Sequence, residues 1–189
     1  TVRWTVQGDM TVSLPDGSKL TVRGQADTSS TERGVEQLRF ADGTVWNRGD
    51  LAAMALTATA GDDTILGGWR DDALDGGAGN DHFQDMCGYD TYRFGVGDGQ
   101  DTVADHTGRI QFKPGIDQNG VTFTLDGNDL IATIAASGDA VRLEDWLNSW
   151  RRIDRFDFAN GAHLNANDVL ARLNVSEGAE ILYGSPGND

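Results

Sequence analysis

Large apolar side chains recur every nine residues in the middle of the chain: Ile65, Leu74, Phe83 and Tyr92. Each lies two residues after an aspartate, and those aspartates, Asp63, Asp72, Asp81 and Asp90, keep the same nine-residue period. Glycines fill the intervals at Gly61, Gly67-Gly68, Gly76-Gly77-Ala78-Gly79 and Gly88. One inward apolar residue per nine, with glycine and aspartate between, predicts a coiled β solenoid that needs a cation. Elsewhere the apolar period is two. Met10–Leu14 and Lys19–Arg23 predict two strands around Pro15-Asp16-Gly17. Val121–Leu125, Asp129–Ala135 and Ala140–Leu143 predict three more, turning at Asp126-Gly127-Asn128 and Ser137-Gly138-Asp139. Leu143, Trp146, Leu147, Trp150 and Ile153 follow helical spacing and predict one short amphipathic helix. Two further short helices are expected after Asp50 and Asp168, each acting as an N-cap.

The same order of elements occurs twice, about 118 residues apart. Val35-Glu36-Gln37-Leu38-Arg39-Phe40-Ala41-Asp42-Gly43 parallels Ile153-Asp154-Arg155-Phe156-Asp157-Phe158-Ala159-Asn160-Gly161. Upstream, Asp16 to Val22 parallels Ser137 to Leu143, and downstream Gly61 to Gly67 parallels Gly178 to Gly184. The chain starts at Thr1 without Met and stops inside a glycine–aspartate turn, so it is expected to be an excerpt of a longer string of units. The expected organisation is the end of one flanking module in residues 1–57 and a β-roll in 58–105. A flanking β/α module in 106–174 and the start of the next array in 175–189 follow.

Charge narrows the partners. The net charge is −15 with a pI near 4.3, which argues against nucleic acid and anionic membranes. Between Ala58 and Asp105 there are eleven Asp, no Glu, and only Arg70 and Arg93 as basic residues. A short carboxylate beside glycine suits a turn or a metal loop, whereas a solvated helix would favour Glu. Cys87 is the single cysteine, which excludes an intrachain disulfide. Residues 1–8 hold no apolar run, and no segment approaches membrane-spanning length.

Gly76-Gly77-Ala78-Gly79-Asn80-Asp81-His82-Phe83-Gln84 resembles the RTX, or hemolysin-type calcium-binding, nonapeptide Gly-Gly-x-Gly-x-Asp-x-U-x, in which U is large and apolar. Tyr89-Asp90-Thr91-Tyr92-Arg93-Phe94, Gly97-Asp98-Gly99-Gln100-Asp101-Thr102-Val103 and the Phe-Ala-Asp-Gly run at Phe40 resemble the hemolysin-type calcium-binding related domain. The resemblance implies a mainly β fold. In it, a short parallel β-roll is flanked by strands, hairpins and short α-helices, in tandem units of about 118 residues. It implies Ca2+ as the cofactor. Calcium takes six to eight hard oxygens at roughly 2.3–2.6 Å, and strands stacked about 4.8 Å apart leave it midway between two turns.

Carried over residue by residue, the resemblance implies three sites. The first joins Thr59, Gly61 and Asp63 to Gly76, Ala78 and Asp81. The second joins Gly68, Arg70 and Asp72 to Asp85, Cys87 and Asp90, using the backbone carbonyls of Arg70 and Cys87. The third joins Gly77, Gly79 and Asp81 to Gly99 and Asp101, although the eleven residues from Asp90 to Asp101 break the period. Without metal the clustered carboxylates repel, so this segment is expected to be disordered until calcium neutralises it.

Other chemistry is sparse. His82, His106 and His163 pair with no second His or Cys at metal spacing, and no HExxH or GxSxG motif occurs. The three prolines follow Leu14, Lys113 and Ser185, so the Asp-Pro bond that self-cleaves in some RTX relatives is absent. Asp126, Asp129, Glu144 and Asp145 read as turn and cap residues. Trp46, Trp146 and Trp150 are expected in the core, with Trp69 the exposed aromatic on a turn. The expectation is a non-enzymatic, calcium-binding structural module of a large secreted protein, exported by type I secretion and folding on calcium outside the cell. Its partners are calcium ions and neighbouring repeats of the same chain, with no nucleic acid and no membrane insertion. The alternative is a calcium-dependent adhesive module that binds a glycan or a cell-surface protein.

Overall fold

The computed structural model describes residues 1–5, 7–25, 35–68, 70–84, 87–105, 107–148 and 152–176. The alternating segments near the start form a three-stranded antiparallel meander of β1 (Val2–Trp4), β2 (Met10–Ser13) and β3 (Lys19–Val22). A second hairpin, β4 (Gln37–Arg39) and β5 (Val45–Asn47), leads into helix α1 (Arg48–Ala55). The helix starts one turn earlier than expected. Asn47 is the N-cap, and Asp50 is its third residue: the Asn47 Oδ1 accepts the Asp50 N–H while Asp50 Oδ2 accepts the Asn47 N–H.

The nonapeptides then build β6 (Thr64–Leu66), β7 (Ala73–Asp75) and β8 (His82–Gln84), continued by β9 (Asp90–Phe94), β10 (Gln100–Ala104) and β11 (Thr107–Phe112). Successive strands alternate between two parallel sheets: β6, β8 and β10 pair in one, β7, β9 and β11 in the other. This is the expected β-roll geometry, two nonapeptides per coil. Ile65, Leu74, Phe83 and Tyr92 are all 2 % exposed or less and face one another across the interior. Each such burial stabilises by roughly 1.5–3 kcal/mol. Phe83 and Tyr92 meet edge to face at 5.5 Å.

Both sheets continue past the nonapeptides. After β12 (Val121–Asp126) and β13 (Asp129–Ile134), β14 (Ala140–Leu143) pairs in parallel with β10. On the other sheet β15 (Arg152–Asp157) pairs in parallel with β11 and carries β16 (His163–Asn165) on its far side. Helix α2 (Ala166–Ser176) follows, with Asn165 and Asp168 repeating the reciprocal cap of α1. Asp168, like Asp50, therefore sits inside its helix and not at the N-cap.

The helix expected across Leu143 to Ile153 does not form over its described part. Leu143 ends β14, residues 144–147 turn, and Ile153 lies in β15. Asp145 adopts φ 52°, which no right-handed helix accommodates, and its N–H donates to Asp129 Oδ1 at 2.8 Å. The apolar spacing instead places a fully buried Trp146 under the sheet end, its indole N–H donating to the Ile153 carbonyl at 2.8 Å. Trp4 is buried, and half-buried Trp46 packs edge-on to Phe40; Trp69, Trp150 and His106 lie outside the described residues.

Candidate metal centre

At one edge of the roll the turns 59–63, 77–81 and 97–101 stack, and their sixth-position aspartates form a ladder. The Asp63 N–H donates to Asp81 Oδ1 at 2.8 Å, and the Asp81 N–H donates to Asp101 Oδ1 at 3.0 Å. A parallel outer ladder runs from the Asn80 N–H to Asp62 Oδ1 at 2.8 Å and from the Gln100 N–H to Asn80 Oδ1 at 2.9 Å. At the opposite edge the Asp72 N–H donates to Asp90 Oδ1 at 2.7 Å, beside a Tyr89 N–H to Asp71 Oδ1 bond at 2.9 Å. Glycine permits this spacing. A Cβ on Gly79 would sit 2.7 Å from the Gly61 carbonyl carbon, one on Gly88 would sit 2.7 Å from the Arg70 oxygen, and one on Gly99 would overlap the Gly79 oxygen.

The predicted site residues distribute as follows. In the first set Asp63 and Asp81 are joined by the ladder bond, and Gly61 faces Gly79 while the Thr59 carbonyl faces Gly77. Gly76 lies against Asp81 of its own turn, where an added Cβ would overlap Oδ2, and Ala78 is exposed in the same turn. In the second set the Gly68 N–H donates to Asp72 Oδ2 at 2.7 Å, and the Arg70 carbonyl meets Gly88 while its side chain is exposed. Cys87 is exposed; Asp85 lies outside the described residues. In the third set the eleven-residue interval costs no stacking. Strand β6 pairs with β8 at an offset of 18 (Thr64↔His82), and β8 pairs with β10 at 20 (His82↔Thr102). The turn 95–98 absorbs the two extra residues, so Gly99 and Asp101 still face Gly79 and Asp81.

Sequence spacing did not reveal the protein's own cations at this edge. The Arg3 guanidinium pairs with Asp63 Oδ1 at 3.2 Å, while Asp63 Oδ2 accepts the Thr59 N–H and hydroxyl at 2.6 and 2.7 Å. The Thr59 N–H, with the Thr59 hydroxyl and Arg3, holds the Asp63 carboxyl below its ordinary range. Further along, Lys113 Nζ bridges Asp75 Oδ1 at 2.7 Å and Asp98 Oδ2 at 2.8 Å. Burial alone would lower the Lys113 ammonium, but those two carboxylates outweigh it and raise it. Asp98 also accepts the Gly95 N–H at 2.8 Å, and Asp139 accepts the Gly97 and Gly99 N–H groups at 2.7 and 3.1 Å. Arg3 and Asp63 lie 60 residues apart and Lys113 and Asp75 lie 38 apart, so no local pattern betrays either pair.

The centre of the ladder has no such help. Asp81 is 1 % exposed, and its Oδ2 has no hydrogen-bond partner among the described residues. Burial, reinforced by the Asp63, Asp62 and Asp98 carboxylates, raises its pKa. Burial, with Asp81 and Asp98, pushes Asp101 up to about 7, against the opposing Asp81 N–H and Lys113. A buried carboxylate with an unsatisfied oxygen is costly unless a cation completes it.

Comparison with known proteins fixes which cation. Residues 55–83 match the RTX calcium-binding nonapeptide repeat, and residues 9–50 and 129–168 match the haemolysin-type calcium binding protein related domain. The chain carries an RTX calcium-binding nonapeptide repeat. It is also 35% identical, over 104 residues, to the iron-regulated protein FrpA of Neisseria meningitidis serogroup C, a match covering 49% of this chain and 9% of that relative. RTX nonapeptides bind calcium ions, and the donors present fit one. They are hard oxygens: carbonyls of stacked glycine turns, carboxylates, and the unsatisfied Asp81 Oδ2. Among the described residues no three His, Cys, Asp or Glu side chains converge on one point. Residues 84–128 fall outside both family matches, yet the coil geometry runs through them to β11. No helix among the described residues is long and apolar enough to cross a membrane.

Proposed function

We propose that this RTX chain is a calcium-triggered structural module of a secreted protein, and that its activity is folding, stiffening and spacing. The observation that carries the reading is the charge pattern of the ladder. Arg3 neutralises Asp63 at one end and Lys113 binds Asp98 at the other, while buried Asp81 between them keeps an unsatisfied oxygen. A divalent cation between the turns would complete that oxygen and balance the carboxylates around it.

In this assignment Thr59, Gly61, Asp63, Gly76, Ala78 and Asp81 serve one ion. Gly68, Arg70, Asp72, Asp85, Cys87 and Asp90 serve a second, and Gly77, Gly79, Asp81, Gly99 and Asp101 serve a third. Calcium supplies two positive charges and a tolerant coordination shell; the chain supplies carbonyl and carboxylate oxygens held at strand spacing. Each nonapeptide buries a single large apolar residue, too little to overcome repulsion among its carboxylates. Where calcium is scarce the roll stays open and fit for export, and where it is abundant outside the cell the roll closes. Amide exchange tests the reading directly. Leu74, Phe83 and Tyr92 amides are expected to be protected in calcium and unprotected in chelator; protection that survives chelation would overturn it.

A further inference from the structure

The two related-domain units are built alike but covered differently. Strands β1–β3 match β12–β14 in register: Val12↔Leu20 and Met10↔Val22 correspond to Ala132↔Val141 and Leu130↔Leu143. The hairpin β4–β5 matches β15–β16, with Leu38↔Trp46 corresponding to Phe156↔Leu164, and the same reciprocal asparagine–aspartate cap follows each. In the second unit β14 lies in parallel against β10 and β15 against β11. The Ala140 and Glu144 N–H groups donate to the Gly99 and Val103 carbonyls at 2.9 and 3.0 Å. In the first unit β3 and β4 are sheet edges among the described residues. Leu20 is 44% exposed where its counterpart Val141 is 1%, and Leu38 and Phe40 are half-buried where Phe156 and Phe158 are buried. An open edge with an exposed apolar residue is a pairing surface.

We propose that the edges of β3 and β4 dock the last two strands of a β-roll, one from each of its parallel sheets, from a neighbouring repeat unit of the same polypeptide. The occupant is argued from this chain itself, whose second unit already holds such a pair, β10 and β11, on the equivalent strands. The Lys19 and Arg23 N–H groups, counterparts of Ala140 and Glu144, would donate to its carbonyls, and Leu20 would enter its interior as Val141 does. The inference rests on calcium folding the coils, so the test keeps the chain's own roll as an internal control.

The experiment is amide exchange in calcium on a chain extended ahead of Thr1 by a copy of residues 58–118. The expected result is exchange at Lys19 and Arg23 slowed at least about tenfold relative to the unextended chain, with the added coils also protected. Leu20→Asp should abolish that slowing in the extended chain, yet leave the unextended chain's melting temperature unchanged. Light scattering should report a monomer. Unchanged exchange at Lys19 and Arg23, an added coil that stays unprotected, an indifferent Leu20→Asp, or docking seen only in a dimer would each overturn the proposal. Loss of protection in the chain's own roll under the same calcium would instead fault the calcium-folding reading.

Discussion

Substituting Gly79 by alanine tests whether contact between stacked turns holds the roll together. Gly79 has φ +139°, and its Cβ would lie 2.7 Å from the Gly61 carbonyl carbon, 2.9 Å from its oxygen and 3.0 Å from the Asp62 nitrogen. Carbon atoms in ordinary contact sit about 3.5–4.0 Å apart, so the turns must part by roughly 0.8 Å or more. Parting stretches the Asp63–Asp81 and Asn80–Asp62 bonds, each 2.8 Å in the native stack. Two such bonds contribute about 1 kcal/mol each, and the left-handed backbone costs a side chain about 1–2 kcal/mol, for a loss of about 3–4 kcal/mol. Gly77→Ala is the control. Its φ is +75°, but its Cβ would meet only the Thr59 oxygen at 3.4 Å, so it should lose only the backbone share, about 1–2 kcal/mol. Urea unfolding in saturating calcium should separate the two variants by about 2 kcal/mol. Equal losses would refute the claim that backbone stacking across this interface is what the glycine serves.

Three further outcomes follow from the ladder. Asp81→Asn removes the central charge and should weaken calcium binding at least about tenfold by titration calorimetry, and unchanged affinity would contradict the Asp81 assignment. Arg3→Gln frees Asp63 of its partly exposed partner and should cost under about 1 kcal/mol in urea, because Thr59 still holds the carboxylate; a loss several times larger would mean Arg3 anchors the roll. Asp101 titrates near 7 when calcium-free, above its unfolded value, so the stability it lends is present below pH 3.8 and is lost as pH rises through 7. In chelator, acid should therefore shift the open–closed balance toward the closed roll by on the order of 2 kcal/mol between about pH 8 and pH 5.5, read as a gain of β signal by circular dichroism. A flat profile would contradict a buried, protonated Asp101.

The roll was legible because a nine-residue period is strong evidence and local: Ile65, Leu74, Phe83 and Tyr92 all point inward as the spacing implies. The interval from Asp90 to Asp101 looked like a break because spacing cannot show that a turn at 95–98 absorbs two residues without disturbing the strands. Helical spacing from Leu143 to Ile153 misled for the opposite reason. Leu143 and Ile153 belong to different strands, and Trp146 is buried between them by a turn at Asp145, so three apolar residues share one core without sharing a helix. Carboxylates favour helix starts, so the sequence points to Asp50 and Asp168 as caps; the asparagine three residues earlier does the capping, and the acid completes it. Arg3 and Lys113 were silent in the sequence because an ion pair between distant segments leaves no periodic trace.

The central claim is that calcium closes the roll. Far-UV circular dichroism of this chain through a calcium titration, with magnesium as control, tests it most directly. The account predicts a cooperative gain of β signal with calcium and none with magnesium. A full β spectrum already present in chelator would contradict it.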